Sequence, residues 1–334
     1  MPSLSELRDR AVIRPVKRAV EDQLLDLPGV TAVDIGDRRT GGRRTGQQGI
    51  VVSVRRKRRA DQLPPAALVP ADVLGIPVDV VEEEPRLHHL DRCAEEMPAG
   101  SSAVRSGMLS GGVGIAPGRA VRIASPGVPV SGAYRRAGTL GVVVTGRASA
   151  PVAMGLTTFD VACVDDAWAV GDRMVDPDTG AACADLARAA LSGRVDAAAV
   201  VLLPDVAHSR SVSGIGPVTG HGPVQPGDVV RKFGHGTGAT EGVVLSTDAT
   251  LRLDHGDALG VRVLREQLRV GSTSSRPFAG PGDAGAVLVN QDNRVAALHL
   301  AGNAAGTAGF ASPIADVLAE LDVDLHAHSH QLSR

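Results

Sequence analysis

From about residue 119 onward, Val, Ala and Leu gather in short runs that Gly, Pro or Asp interrupts roughly every eight to twelve residues. That rhythm suits short antiparallel strands joined by tight turns, and it leaves little room for long helices. Candidate strands fall at residues 140–145, 152–157, 197–202, 228–233, 242–246, 267–270, 286–290, 295–300 and 307–311. So many short strands must close on themselves or stack to hide their edges. The 40 glycines and 21 prolines fit a chain rich in turns. One closing helix is signalled by Ser312 and Pro313, a cap followed by Pro at the first helical position, with Ile314, Val317, Leu318 and Leu321 on one face.

The first ninety residues differ. Ser3 and Glu6 fit a capping box, and Leu4, Leu7, Ala11, Ala19 and Leu24 recur at helical spacing until Pro28-Gly29. Pro15 is expected to kink or divide this helix. Residues 29–35, 49–54 and 78–81 read as strands, giving a small α+β unit. The division predicted is a small α+β N-terminal domain at 1–90, a linker at 91–118, an all-β part at 119–325 and a His-containing tail at 326–334.

Composition removes several function classes. The longest apolar run, 197–203, is too short to span a bilayer, so no membrane partner is expected. Charged residues throughout the first twenty positions leave no signal-length apolar stretch, and Cys93, Cys163 and Cys183 cannot all pair with one another. A cytoplasmic setting is the expectation. Six aromatic residues are too few for base-stacking platforms. Residues 1–60 hold 14 Lys+Arg against 7 Asp+Glu, although the whole chain is at −2. Arg38, Arg39, Arg43, Arg44 and the run 55–59 (RRKRR) therefore read as a solvated basic face, with nucleic-acid binding or homo-oligomeric assembly as the less favoured alternative.

The segment Pro281-Gly282-Asp283-Ala284-Gly285 is by itself a Gly-rich turn. It is followed by a strand pair, by Leu298-His299-Leu300-Ala301-Gly302, and by Gly309-Phe310-Ala311-Ser312-Pro313-Ile314 leading into the last helix. That order resembles the second barrel of trypsin-like serine peptidases, in which a GDSG turn carries the nucleophile. Upstream, Ala137-Gly138-Thr139-Leu140-Gly141 and Leu156-Thr157-Thr158-Phe159-Asp160-Val161-Ala162 resemble the opening of the first barrel, with Asp160 where the catalytic His stands. Arg194-Val195-Asp196-Ala197-Ala198 resembles the strand carrying the triad Asp, and Arg231-Lys232-Phe233-Gly234 through Gly242 the first hairpin of the second barrel. The N-terminal unit is similar to the small α+β domain preceding some bacterial peptidase domains. The fold implied is mainly β: a chymotrypsin-like double β-barrel preceded by that unit.

Hydrolysis of this kind needs a nucleophile, an imidazole base, an orienting carboxylate and backbone donors for the oxyanion. At the triad positions stand Asp160, Asp196 and Ala284, of which Asp196 alone is retained, and no His lies between Asp91 and Ala207. The backbone N–H groups of Gly282 and Ala284 are expected to persist as an anion-binding nest. The reading is a degenerate member that binds an extended peptide or protein along Leu300, Ala301 and Gly302, with no cofactor and no metal. A serine endopeptidase whose nucleophile Ala284 has replaced, and a scaffold role, are the alternatives. A shared-proton pair of Asp160 and Asp196 is a further one. Cys163 reads as a small buried residue, His299 as a hydrogen-bonded core histidine, Ser272, Thr273, Ser274 and Ser275 as loop, and Gly234-His235-Gly236-Thr237-Gly238 as a turn. Asp165, Asp166 and Asp172 lack calcium-loop spacing, and His326, His328 and His330 read as a solvated tail.

Overall fold

The structure is a computed structural model, and it describes residues 4–40, 43–93, 101–104, 107–121, 133–147 and 151–325. Ser3 and the histidines at 326, 328 and 330 lie outside the described residues. The chain begins with α1 (Leu4–Leu25), followed by β1 (Val30–Thr40), β2 (Arg43–Val54) and β3 (Ile76–Glu82). Strands β4 (Arg86–Leu87), β5 (Leu90–Cys93) and β6 (Gly114–Pro117) come next, β5 reaching into and β6 lying within the stretch 91–118 read as a linker.

The first barrel is built from β6, β7 (Tyr134–Thr139), β8 (Val143–Gly146), β9 (Ala153–Thr157), β10 (Arg173–Val175), β11 (Ala181–Leu191) and β12 (Asp196–Leu202), with α2 (Phe159–Cys163) after β9. Its ladder runs β8-β9-β12-β11-β10-β6-β7. Residues 140–142 carry β7 directly into β8, which brings the two ends of that ladder together; Leu156 N of β9 donates to Val142 O, extending the β8–β9 pairing into this link.

The second barrel contains β13 (Val229–Gly234), β14 (Gly238–Asp254), β15 (Val261–Ser272), β16 (Val287–Val289), β17 (Arg294–Gly302) and β18 (Ala308–Pro313). The order β13-β16-β17-β18-β15-β14 closes because β14 also pairs with β13, so no edge remains in the ring. The fold is thus mainly β, as the strand rhythm predicted, with the twin barrels that the resemblance implied. Between them lies one apolar cluster that joins Val142, Leu156, Val195 and Ala197 of the first to Val287, Val289 and Leu298 of the second. The closing helix α3 (Ile314–Glu320) adds Ile314, Val317 and Leu318 to it.

The far end of β14 extends past the ring and pairs with β1 through Leu251 and Thr250, so the sheet runs on into β2 and β3. Helix α1 covers this extension, packing Ile13, Leu24 and Leu25 on Val33, Ile35, Ile50 and Val52. Two expectations need correction. α1 is not divided at Pro15, because contacts on both sides of the proline hold it to the sheet: before it Arg10 donates to Ile35 O and Leu245 O and Arg14 pairs with Asp248, and after it Lys17 donates to Thr250 Oγ1. Ser312 does not cap α3; its hydroxyl donates to Gln267 Oε1, and Pro313 occupies the cap position without a side-chain bond. Among the described residues, no helix is long and apolar enough to cross a membrane.

Candidate functional site

The turn at 281–285 owes its shape to Asp283. This buried carboxylate accepts from Gly280 N, Gly236 N, Thr237 N and Thr237 Oγ1, and pairs with Lys232 Nζ at 2.9 Å. Both side chains are 0 % exposed. Burial lowers the Lys232 pKa, and Asp283 opposes that shift. The segment Gly234-His235-Gly236-Thr237-Gly238 is accordingly a hairpin turn between β13 and β14 that supplies donors to Asp283. Gly282 and Gly285 sit at φ of 93° and 97°, in the left-handed region open to glycine. Pinned this way, Gly282 N and Ala284 N converge on one acceptor, the carbonyl oxygen of His88, at 2.7 and 3.1 Å. The two backbone donors expected to form a nest therefore do converge, and what they bind is a peptide carbonyl of the chain itself.

That carbonyl belongs to a strand laid across both barrels. On one side of the nest β4 pairs antiparallel with β17, Leu87 opposite Ala301 and Arg86 opposite Gly302, and His88 N donates to Leu300 O at 2.9 Å. On the other side β5 pairs antiparallel with β7, Leu90 opposite Ala137 and Asp91 opposite Arg136. The stretch Leu300, Ala301 and Gly302, read as a peptide groove, is thus paired with a strand of the chain itself. The His88 ring lies 5.2 Å from that of His299, with Nδ1 and Nε2 3.0 Å apart. A Cβ on residue 302 would overlap His88 Cε1, so glycine makes room for the imidazole. Burial lowers the His88 pKa to about 4 and holds His299 well below its ordinary value, so both rings are neutral near pH 7 and one donates to the other. His299 is a hydrogen-bonded buried histidine, as anticipated, but it forms the floor of the groove.

The position matching the triad His is equally occupied. Thr158 caps α2, accepting from Val161 N through its side chain, and Asp160 follows in the first turn. Asp160 Oδ1 accepts from Arg136 Nη1 at 2.7 Å, and Oδ2 lies 2.6 Å from His89 Nδ1. Asp91 completes the group, 2.9 Å from Arg136 Nε and 3.2 Å from His89 Nε2. Burial opposes the His89 charge, but Asp160, with hydrogen bonds to Asp160 and Asp91, outweighs it and raises the imidazole to about 9. Burial also works against the Asp160 charge, and the cations His89 and Arg136 overcome it, holding this carboxyl well below the usual range.

Asp196 lies beside Asp160, accepting from its backbone N at 3.2 Å, and its Oδ2 is 2.9 Å from His255 Nε2. The shared-proton reading of Asp160 and Asp196 is therefore corrected: Asp160 sits between two cations and stays ionised, and Asp196 has an imidazole of its own. Cys163 is buried, which pushes its thiol up, far from thiolate reactivity. Ser272 ends β15, and Thr273, Ser274 and Ser275 form the loop after it.

Sequence reasoning placed Asp160, Asp196, Gly282, Ala284 and the 300–302 groove, and the structure brings them together. It missed His88, His89, Asp91, Arg136 and His255, which reach the site from other parts of the chain. The histidine-free interval from 92 to 206 is real, but both imidazoles that meet the carboxylates come from outside it. The one local signal was a His-His pair just after Pro85, since proline favours an extended approach.

No protein-family model matches the sequence, and no curated protein matches it. Solved structures similar to this chain include Thermobifida fusca Protease A, at 19% identity over 66% of this chain and 100% of that one, with a TM-score of 0.48. Nocardiopsis protease is similar at 18% identity over 66% and 100%, with a TM-score of 0.47. Cellulomonas bogoriensis chymotrypsin is similar at 19% identity over 66% and 98%, with a TM-score of 0.45.

Proposed function

We propose that this chain is a serine-protease-like protein that binds extended peptides without cutting them. The observation that carries the reading is the His88 carbonyl oxygen, which accepts from Gly282 N and Ala284 N while β4 and β5 pair on either side. The site retains what holds a peptide and lacks what attacks it. Ala284 offers a methyl group where a hydroxyl is needed, and Asp160, ionised and between two cations, takes no proton from a nucleophile. Loss of nucleophile or base from such a triad costs on the order of a million-fold in turnover.

Peptide hydrolysis measured for the chain, for Ala284→Ser and for Ala284→Ser with Asp160→His tests the reading. None of the three is expected to turn over, because His255 already takes Asp196 Oδ2 and His89 Nε2 faces Asp91. Turnover by the unaltered chain would end the proposal. Brisk turnover by Ala284→Ser alone would show that a base already serves the site, in favour of an endopeptidase from which only the nucleophile is missing.

A further inference from the structure

We infer that the groove selects its peptide by charge: Asp160 and Arg136 read a cation directly after the residue held in the nest and an acid two positions further on. This rests on the peptide-binding reading above and names the partner class for it. The occupying strand shows the pattern, with Leu87 against the apolar group of Ala301, Leu300 and Phe310, His88 on His299, His89 on Asp160 and Asp91 on Arg136.

The reading groups belong to the barrel wall, not to the strand. With the strand in place Asp160 and Arg136 have side chains only 1% and 5% exposed and are joined to each other at 2.7 Å. Withdrawal of the strand strips one carboxylate oxygen of Asp160 and the Nε and Nη2 of Arg136 of their partners. The lost contacts are charge-assisted hydrogen bonds, so an incoming chain is favoured when it restores both. An uncharged peptide leaves both unmet, and one with the signs reversed sets like charges against each. The ligand class is therefore an extended peptide segment of the form Leu-His-cation-any-acid, with Lys, Arg or protonated His as the cation. Residues 86–91 fill the site in cis, and a partner competes with them.

The test uses the full chain carrying Leu87→Asp and His89→Glu, which put carboxylates against the apolar group and against Asp160 and so free the groove. Blocked hexapeptides Arg-Leu-His-Lys-Leu-Asp and Arg-Leu-His-Glu-Leu-Lys are titrated by calorimetry. The first is expected to bind at least about tenfold more tightly. Equal affinities overturn the charge inference and leave peptide binding standing; no binding of either to the folded variant overturns the peptide-binding reading itself. A second arm holds should that variant not fold. Hydrogen exchange at the Gly282 and Ala284 amides is followed in the otherwise unaltered chain with His89→Glu or His89→Lys. Exchange is expected to rise at least about tenfold with Glu and to stay within about threefold with Lys. Equal effects again reject the charge inference, and unprotected nest amides in the unaltered chain reject the docked strand.

Discussion

At the scale of single residues, burial works against the charge of both adjacent histidines of the docked strand, yet their pKa values move in opposite directions because only His89 meets carboxylates that outweigh it. His88 faces His299, with Lys232 and Asp283 nearby, and its pKa falls to about 4; His89 faces Asp160, Asp91 and Arg136, and its pKa rises to about 9. Both start near 6.5 when the strand is free. The neutral His88 docks at no protonation cost above pH 6.5, and that advantage is lost as pH falls from 6.5 towards 4. The charged His89 contributes fully below 6.5, and its contribution is lost as pH rises through 9. Occupancy of the nest is therefore expected to peak near pH 6.5 and to fall on both sides, read as protection factors of the Gly282 and Ala284 amides corrected for intrinsic exchange. His88→Gln should remove the acid limb and keep the alkaline one. Protection that changes in one direction only across pH 4 to 9 would contradict the assignment. Gly302→Ala acts on the same contact by sterics: its methyl meets the His88 ring and Ala308 O, so the nest amides should lose protection at every pH.

At the scale of elements, the turn at 281–285 depends on a buried ion pair that joins it to the β13–β14 hairpin. Lys232→Met leaves Asp283 charged, buried and without its cation, and breaking such a pair typically costs about 3–5 kcal/mol. Four hydrogen bonds to Asp283 remain, so the expected loss in urea unfolding lies near the lower figure; a loss under about 1 kcal/mol would show that those bonds suffice. The turn was legible in the sequence because its glycines, its acid and the following apolar strand are contiguous. The strands of the second barrel were legible for a similar reason, since β16 and β17 are short apolar runs between turn residues. β11 was not. Its Ala-rich run Ala181–Leu191 has helical propensity and no period-two alternation, and only pairing with β10 and β12 makes it a strand. The site shows the same limit: Asp160 and Asp196 are placed by local motifs, whereas His89 lies 71 positions from Asp160 and His255 lies 59 from Asp196, separations that no spacing rule encodes.

At the scale of the whole molecule, two features join parts that sequence reasoning treated separately. One is the pair Asp196–His255, which ties the first strand end of one barrel to the loop after β14 of the other with both side chains fully buried. Burial opposes the His255 charge, yet the hydrogen bond and charge of Asp196 raise its pKa, so this stabilisation is complete below pH 6.5 and lost as pH rises through the raised value. The other is the run of sheet from β14 into β1. Ala32 packs with Ala249, Leu251 and Leu253, Val263 packs against the α1 cluster, and Lys17 of α1 donates to Thr250 Oγ1 at 2.5 Å while also pairing with Glu21. Removing residues 1–84 would uncover the β14 edge at Thr250 and Leu251 together with these apolar faces, and an open edge of that kind pairs with another chain. The shortened chain, which keeps the groove strand, is expected to leave size-exclusion chromatography with light scattering as dimers or larger assemblies. A monodisperse monomer with unchanged nest-amide protection would instead show that the second barrel completes its own edge and that α1 with β1–β3 is an accessory to it.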